Sequence, residues 1–172
     1  MVIWITGLSG AGKSSIARTV IKEFRNSEIL ALLLDGDDVR SAIADPNLGY
    51  DRNCRLTNAY RLSRLANLVE KQGILVVVAT MSLFHEIHRW NRENFSEYIE
   101  VYVKVNHSVL EQRDARNLYS RAARGEVTSV VGVHLEYDEP IQPHLIIENN
   151  EPVEDFTVFG RKIIQLAFGK AG

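Results

Sequence analysis

The chain has 172 residues, 45% of them hydrophobic, which suffices for one well-buried domain and is too short for two ordinary ones. Twenty Lys and Arg against 22 Asp and Glu leave a formal net charge of -2, which excludes a protein built to coat nucleic acid. The single cysteine, Cys54, excludes an internal disulfide, and no apolar run reaches the ~18 residues of a membrane span; with no secretory pattern at the start, a cytoplasmic protein without membrane contact is expected.

Residues 2–6 (VIWIT) form a short apolar run of the kind that makes a strand covered on both faces. The stretch ITGLSGAGKSS follows and leads into a helix over 13–24, whose Ile16, Ala17, Val20, Ile21 and Phe24 share one face. A second strand is expected over 29–34, ending in Leu34-Asp35-Gly36-Asp37-Asp38-Val39-Arg40, which reads as an acidic turn or helix cap. The polar, turn-rich segment 45–54 comes next. Leu62, Leu65, Ala66 and Val69 then predict a helix over 58–71, with Gly73 as its C-terminal cap. A third strand covers 74–79, a helix carries His85, His88 and Trp90, and a fourth strand covers 98–105. Ser108 and Glu111 have capping-box spacing for the start of another helix. Residues 114–143 are long, charged and without clean periodicity, as lids are. A fifth strand is expected over 145–147, and a last helix from Pro152 to Phe168. Strands alternating with helices predict a single α/β domain over 1–172, with a parallel sheet between helices.

Gly7-Leu8-Ser9-Gly10-Ala11-Gly12-Lys13-Ser14 fits G-x-x-x-x-G-K-[ST], with a strand before it and a helix after it. Glycines let the backbone curl until its N–H groups face phosphate oxygens, and the helix start adds partial positive charge. The expected fold is therefore the three-layer P-loop NTPase fold, with a lid. The loop predicts binding of ATP through Gly7, Ser9, Gly10, Ala11, Gly12, Lys13, Ser14 and Ser15. Lys13 reaches the β- and γ-phosphates and Ser14 gives its hydroxyl to Mg²⁺. Asp35 and Asp37 fall at the carboxyl end of the second strand, where ligands of open α/β sheets bind. Transfer of a phosphoryl group to a hydroxyl needs one carboxylate to orient or deprotonate the nucleophile and another group to hold the metal. Asp37 is the favoured base, and Asp35 supports the metal or its waters.

Beyond this loop, the chain resembles the adenylylsulfate kinases over nearly its whole length. The resemblance is carried by GLSGAGKSS, by LDGDDVR where that family reads LDGDNVR, and by Gly49-Tyr50 where it has Gly-Phe. Arg55, Asn58 and Arg61 keep the spacing of its DR-x-x-N-x-x-R, with Cys54 in place of the aspartate. Glu100-Val-Tyr-Val103, Gln112-Arg-Asp114, Leu118-Tyr119, Ala123-Arg-Gly-Glu126 and Tyr137-Asp-Glu-Pro140 continue the match. The resemblance implies transfer of the ATP γ-phosphate to the 3′-hydroxyl of adenosine 5′-phosphosulfate, a step of sulfate activation, by a homodimer. It implies that Arg40, Arg55 and Asn58 hold the acceptor nucleotide, that Tyr50 stacks on its base, and that Arg113 and Arg116 serve the donor nucleotide. Ser82 matches a serine of the family and is expected to hydrogen-bond near the acceptor, in a catalytic role.

The departures cluster on the acceptor side. Val130-Val131-Gly132-Val133 stands where the family reads Phe-Thr-Gly-Ile, so Val131 is expected to line the acceptor site without the second aromatic, and Leu83 replaces the proline after Ser82. An acceptor of different chemistry, such as a cytidine diphosphate derivative, is therefore the alternative. An ATP-dependent switch protein with no small acceptor is the alternative of another class. His85 and His88 lie three apart and could face one way on a helix, but they do not make an HExxH arrangement and Cys54 has no partner cysteine, so no zinc site is expected. Trp4, Trp90, Phe156, Phe159 and Phe168 read as packing residues.

Overall fold

In the computed structural model, which describes residues 1–114 and 117–169, the five apolar runs form one parallel sheet in the order β2-β3-β1-β4-β5. The strands are β1 (Val2–Thr6), β2 (Ala31–Asp35), β3 (Leu75–Thr80), β4 (Tyr98–Lys104) and β5 (Leu145–Glu148). Every residue of β1 and β3 is buried, as the runs without polar alternation require. Alternate residues of β1 serve opposite layers. Ile3 and Ile5 join the core beneath α1 (Lys13–Asn26) and α7 (Thr157–Phe168), while Val2 and Trp4 join the core beneath α3 (Arg52–Glu70) and α4 (His85–Asn94). This is the expected three-layer arrangement.

The aromatic residues pack as expected. Trp4 is fully buried, Trp90 meets Tyr60 and Phe95 edge-on, and Phe168 meets Phe24 edge-on at 5.8 Å although its outer side stays exposed. Among the described residues, no helix is long and apolar enough to cross a membrane.

Several elements differ from the sequence expectation. α3 starts at Arg52 and not at 58, with the Asp51 carboxylate accepting the Cys54 N–H at 3.0 Å. Residues 52–57 lack an apolar stripe because part of this turn faces a cleft, so periodicity could not reveal it. Gly36–Ile43 forms a short helix, α2, capped by Asp35, where an acidic turn or cap was expected; it buries no residue, which left no stripe to read. α5 (His107–Arg113) begins one residue before Ser108, and its N-cap is Asn106 without a side-chain cap bond, so the capping box does not form. A short helix, α6 (Leu118–Ala123), lies inside the segment expected to be irregular. The last helix starts at Thr157, where Asp155 accepts the Thr157 N–H at 2.9 Å, and not at Pro152.

Candidate active site

The glycine-rich loop joins the end of β1 to α1, and its shape depends on two glycines. Gly12 holds φ 97°, and a Cβ there would lie 2.8 Å from Asn149 Nδ2. At Gly7 a Cβ would lie 2.4 Å from the Val103 carbonyl oxygen. Neither position tolerates a side chain. The loop is braced from distant parts of the chain: Asn149 Nδ2 donates to Ala11 O at 2.9 Å, and the Tyr119 hydroxyl donates to Ser9 O at 3.0 Å. Burial raises the Tyr119 phenol to about 12, so it remains a neutral donor. Sequence reading assigned no role to Asn149 or Tyr119. The pairing of Leu118 with Tyr119 was the one available signal.

Tyr119→Phe keeps the ring that meets His107 at 5.6 Å and removes the bond to the loop. Thermal unfolding is expected to show a loss of about 0.5–1.5 kcal/mol, with a raised KM for ATP. An unchanged melting temperature and unchanged KM would mean that this brace contributes nothing.

The loop and the acidic segment meet. Ser14 Oγ donates to Asp35 Oδ2 at 2.5 Å, and Asp35 Oδ1 accepts the Asp37 N–H at 3.1 Å. Lys13 Nζ donates to Leu8 O at 2.8 Å, so its side chain curls over the loop. Two hollows open from this junction. One runs along the outer face of the loop past Gly10, Gly12 and Ser15. The other is a cleft extending to Arg40, Tyr50, Arg55, Asn58 and Ser82. Ser9, Lys13, Ser14 and Asp37 line both. Gly7 and Ala11 shape the loop without lining either hollow.

At the far end of the cleft, Arg40 Nη2 donates to the carbonyls of Leu48 and Gly49, and its guanidinium lies 4.1 Å from the centre of the Tyr50 ring. Arg55 donates to Tyr50 O at 2.7 Å and to Ser129 O at 2.8 Å, with its guanidinium 5.4 Å from the same ring. Burial lowers the pKa of Arg55 from its ordinary value, and the Arg40 charge lowers it further. Two guanidiniums held against their own repulsion make a place where an anion is stabilised. Asn58 lies one turn beyond Arg55 on α3, and its buried Oδ1 has no hydrogen-bond partner among the described residues. Arg61 does not join them: it pins the loop before α3 by an ion pair with Asp45 at 2.7 Å. Thr80, which no motif singled out, also lines the cleft.

Two expected site residues fall elsewhere and one is not described. Val131 is buried and lines a neighbouring hollow that shares Arg55 and Met81 with the cleft. It lies in the wall because its apolar side chain packs with the core. Arg113 donates to Glu151 O at 3.2 Å from α5, away from both hollows. Arg116 lies outside the described residues. Among the described residues no cluster of three or more His, Cys, Asp or Glu is placed to hold a metal. A magnesium ion that rides on nucleotide phosphates needs only one or two protein oxygens, and Ser14 and Asp35, in contact with each other, would be such a pair.

The family model described as adenylylsulphate kinase matches residues 1–148. A cytidine diphosphoramidate kinase of Campylobacter jejuni is 35% identical over 149 residues, covering 87% of this chain and 86% of that one. An adenylyl-sulfate kinase of Bacillus pumilus is 37% identical over 152 residues, covering 87% and 77%. The solved structure of the Mycobacterium tuberculosis APS kinase CysC in complex with AMPPNP and APS superposes with a TM-score of 0.88 at 32% identity, over 96% of each chain.

Proposed function

The chain belongs to the adenylylsulphate kinase family and is an ATP-dependent kinase; from that premise we propose that it moves the γ-phosphate of ATP to the ribose 3′-hydroxyl of a nucleotide whose 5′ end carries a second charged or polar group. The observation that carries this reading is the pair of hollows sharing Ser9, Lys13, Ser14 and Asp37. A donor lying along the loop and an acceptor lying in the cleft would meet at those four residues.

Each residue then has a task. The loop amides and Lys13 hold the donor phosphates and the charge that spreads over the transferring group. Ser14 and Asp35 would hold Mg²⁺, which when bound offsets charge on the phosphate oxygens. Asp37 accepts the proton of the attacking hydroxyl or orients it. Arg40 and Arg55 take the charged 5′ end of the acceptor, Tyr50 stacks on its base, and Ser82 hydrogen-bonds beside it. The segment 114–143 closes over the site and excludes water. A homodimer belongs to the same proposal, and light scattering reads it directly. A switch protein without an acceptor gives no reason for Arg40, Tyr50, Arg55 and Asn58 to converge on a second hollow.

Adenosine 5′-phosphosulfate is the acceptor implied by most relatives. A cytidine diphosphate derivative is the second reading, and one observation favours it. Val130 and Val131 are buried, and neither supplies the second aromatic ring that the resemblance sets against the acceptor base. A base–aromatic stack contributes ~1–3 kcal/mol, and a purine, having more ring to stack, loses more than a pyrimidine when one face is missing. ADP release should be measured with ATP, Mg²⁺ and each acceptor in turn. The expected result is a kcat/KM for cytidine diphosphoramidate within the ordinary ~10⁴–10⁸ M⁻¹s⁻¹ range and at least about tenfold above that for adenosine 5′-phosphosulfate. The opposite order restores the sulfate reading, and no stimulation by either defeats both.

A further inference from the structure

Ser82 sits in the cleft wall, 2% exposed, and its Oγ has no hydrogen-bond partner among the described residues. Its backbone carbonyl does have one: His88 Nε2, from the second turn of α4, lies 2.9 Å from Ser82 O. A carbonyl oxygen only accepts, so the ring nitrogen facing it carries the proton. The other ring nitrogen, Nδ1, lies 3.6 Å from Oε1 of Glu100, a fully buried carboxyl on β4. Glu100 Oε2 is held by Arg92 at 2.8 Å and by the Tyr98 hydroxyl at 3.0 Å. Burial lowers His88 to about 4 and raises Glu100 above its ordinary value. The imidazole is therefore neutral at pH 7, and the Ser82 carbonyl selects its Nε2–H form.

In the segment between β3 and α4 the helix bonds reach only as far as Phe84, whose carbonyl accepts the Ile87 and His88 N–H groups at 3.1 Å. The segment is also tied from outside: the Asp138 N–H donates to Leu83 O at 3.1 Å, and the Asp138 carboxylate accepts the His85 N–H at 3.2 Å. His88 ties the remaining point, the carbonyl next to the cleft. We infer that His88 is a positioning residue for phosphoryl transfer, holding the Ser82 carbonyl so that the Ser82 hydroxyl faces the acceptor. This inference rests on the proposed function in one respect, that the cleft takes the acceptor.

Two measurements test it. ¹⁵N NMR of the unliganded protein at pH 7 should show His88 neutral, protonated at Nε2 and unprotonated at Nδ1, whatever the acceptor is. In kinetics, His88→Leu should lower kcat/KM for the acceptor about tenfold while KM for ATP stays within about twofold. His88→Gln, whose side-chain N–H can reach the same carbonyl, should recover most of the loss and guards against a Leu variant that does not fold. In a Ser82→Ala background, His88→Leu should cost nothing more, because its effect runs through the missing hydroxyl. A charged or Nδ1-protonated His88 overturns the inference, as does an equal loss from His88→Leu with Ser82 present or absent. If the wild type turns over no nucleotide acceptor, the functional reading fails by itself, and the NMR result alone then decides whether His88 holds the Ser82 carbonyl.

Discussion

Lys13→Ala is expected to lower kcat by about 10²–10³ in an otherwise folded protein. Lys13 opens α1 at the junction of the two hollows, where the transferring phosphoryl group would lie. Charge spreads over that group's oxygens in the transition state, and an ammonium placed there in advance needs no reorganisation when the reaction occurs. In the structure the same side chain donates to Leu8 O at 2.8 Å. Alanine therefore also removes one side-chain contact to the loop, at a cost of about 0.5–1.5 kcal/mol. Acceptor-dependent ADP release and a thermal melt, run on the same preparation, separate the two effects. Retention of most of kcat in a well-folded Lys13→Ala protein would show that the loop does not stabilise the transferring phosphate.

Asp37→Asn is expected to lower kcat by about 10²–10⁴ with KM for ATP changed only a few-fold. The substitution is nearly isosteric, and the bond from the residue 37 N–H to Asp35 Oδ1 is made by the backbone, so α2 keeps its start. The carboxylate that we propose accepts the proton of the attacking hydroxyl is replaced by a neutral amide. Asp35 is different in kind. It caps α2 and receives the Ser14 hydroxyl, so a change there disturbs loop and helix together. The comparison distinguishes the two carboxylates: Asp37→Asn should act on kcat, and Asp35→Asn on kcat, ATP affinity and stability at once. Wild-type kcat in Asp37→Asn would remove Asp37 from the chemistry and leave orientation of the hydroxyl to another group.

The strands were legible because each is a short apolar run whose burial on both faces erases alternation, as in β1 and β3. α1 was legible because Ile16, Ala17, Val20, Ile21 and Phe24 repeat at helical spacing. The first turns of α3 and all of α2 were not, for a shared reason. Both border the cleft, and α2 buries nothing, so hydrophobic periodicity has nothing to report there. The α7 boundary was misread because Pro152 suits a first turn equally well in an extended segment, and the Asp155 contact to Thr157 depends on the folded path.

Read alone, the chain determined the glycine-rich loop, the acidic residues at the end of β2 and the succession of the five strands. Each of these is written in neighbouring residues: glycine spacing, a capping carboxylate, the period of apolar side chains. Tertiary structure alone decided which residues support the site from a distance. Tyr119 and Asn149 brace the loop from more than one hundred residues away, Arg55 reaches Ser129, Val131 withdraws into the wall, and His88 with Glu100 lies behind Ser82. Such contacts join positions far apart along the chain, and only the packing of helices against the sheet sets their distances and burial; no local pattern encodes them.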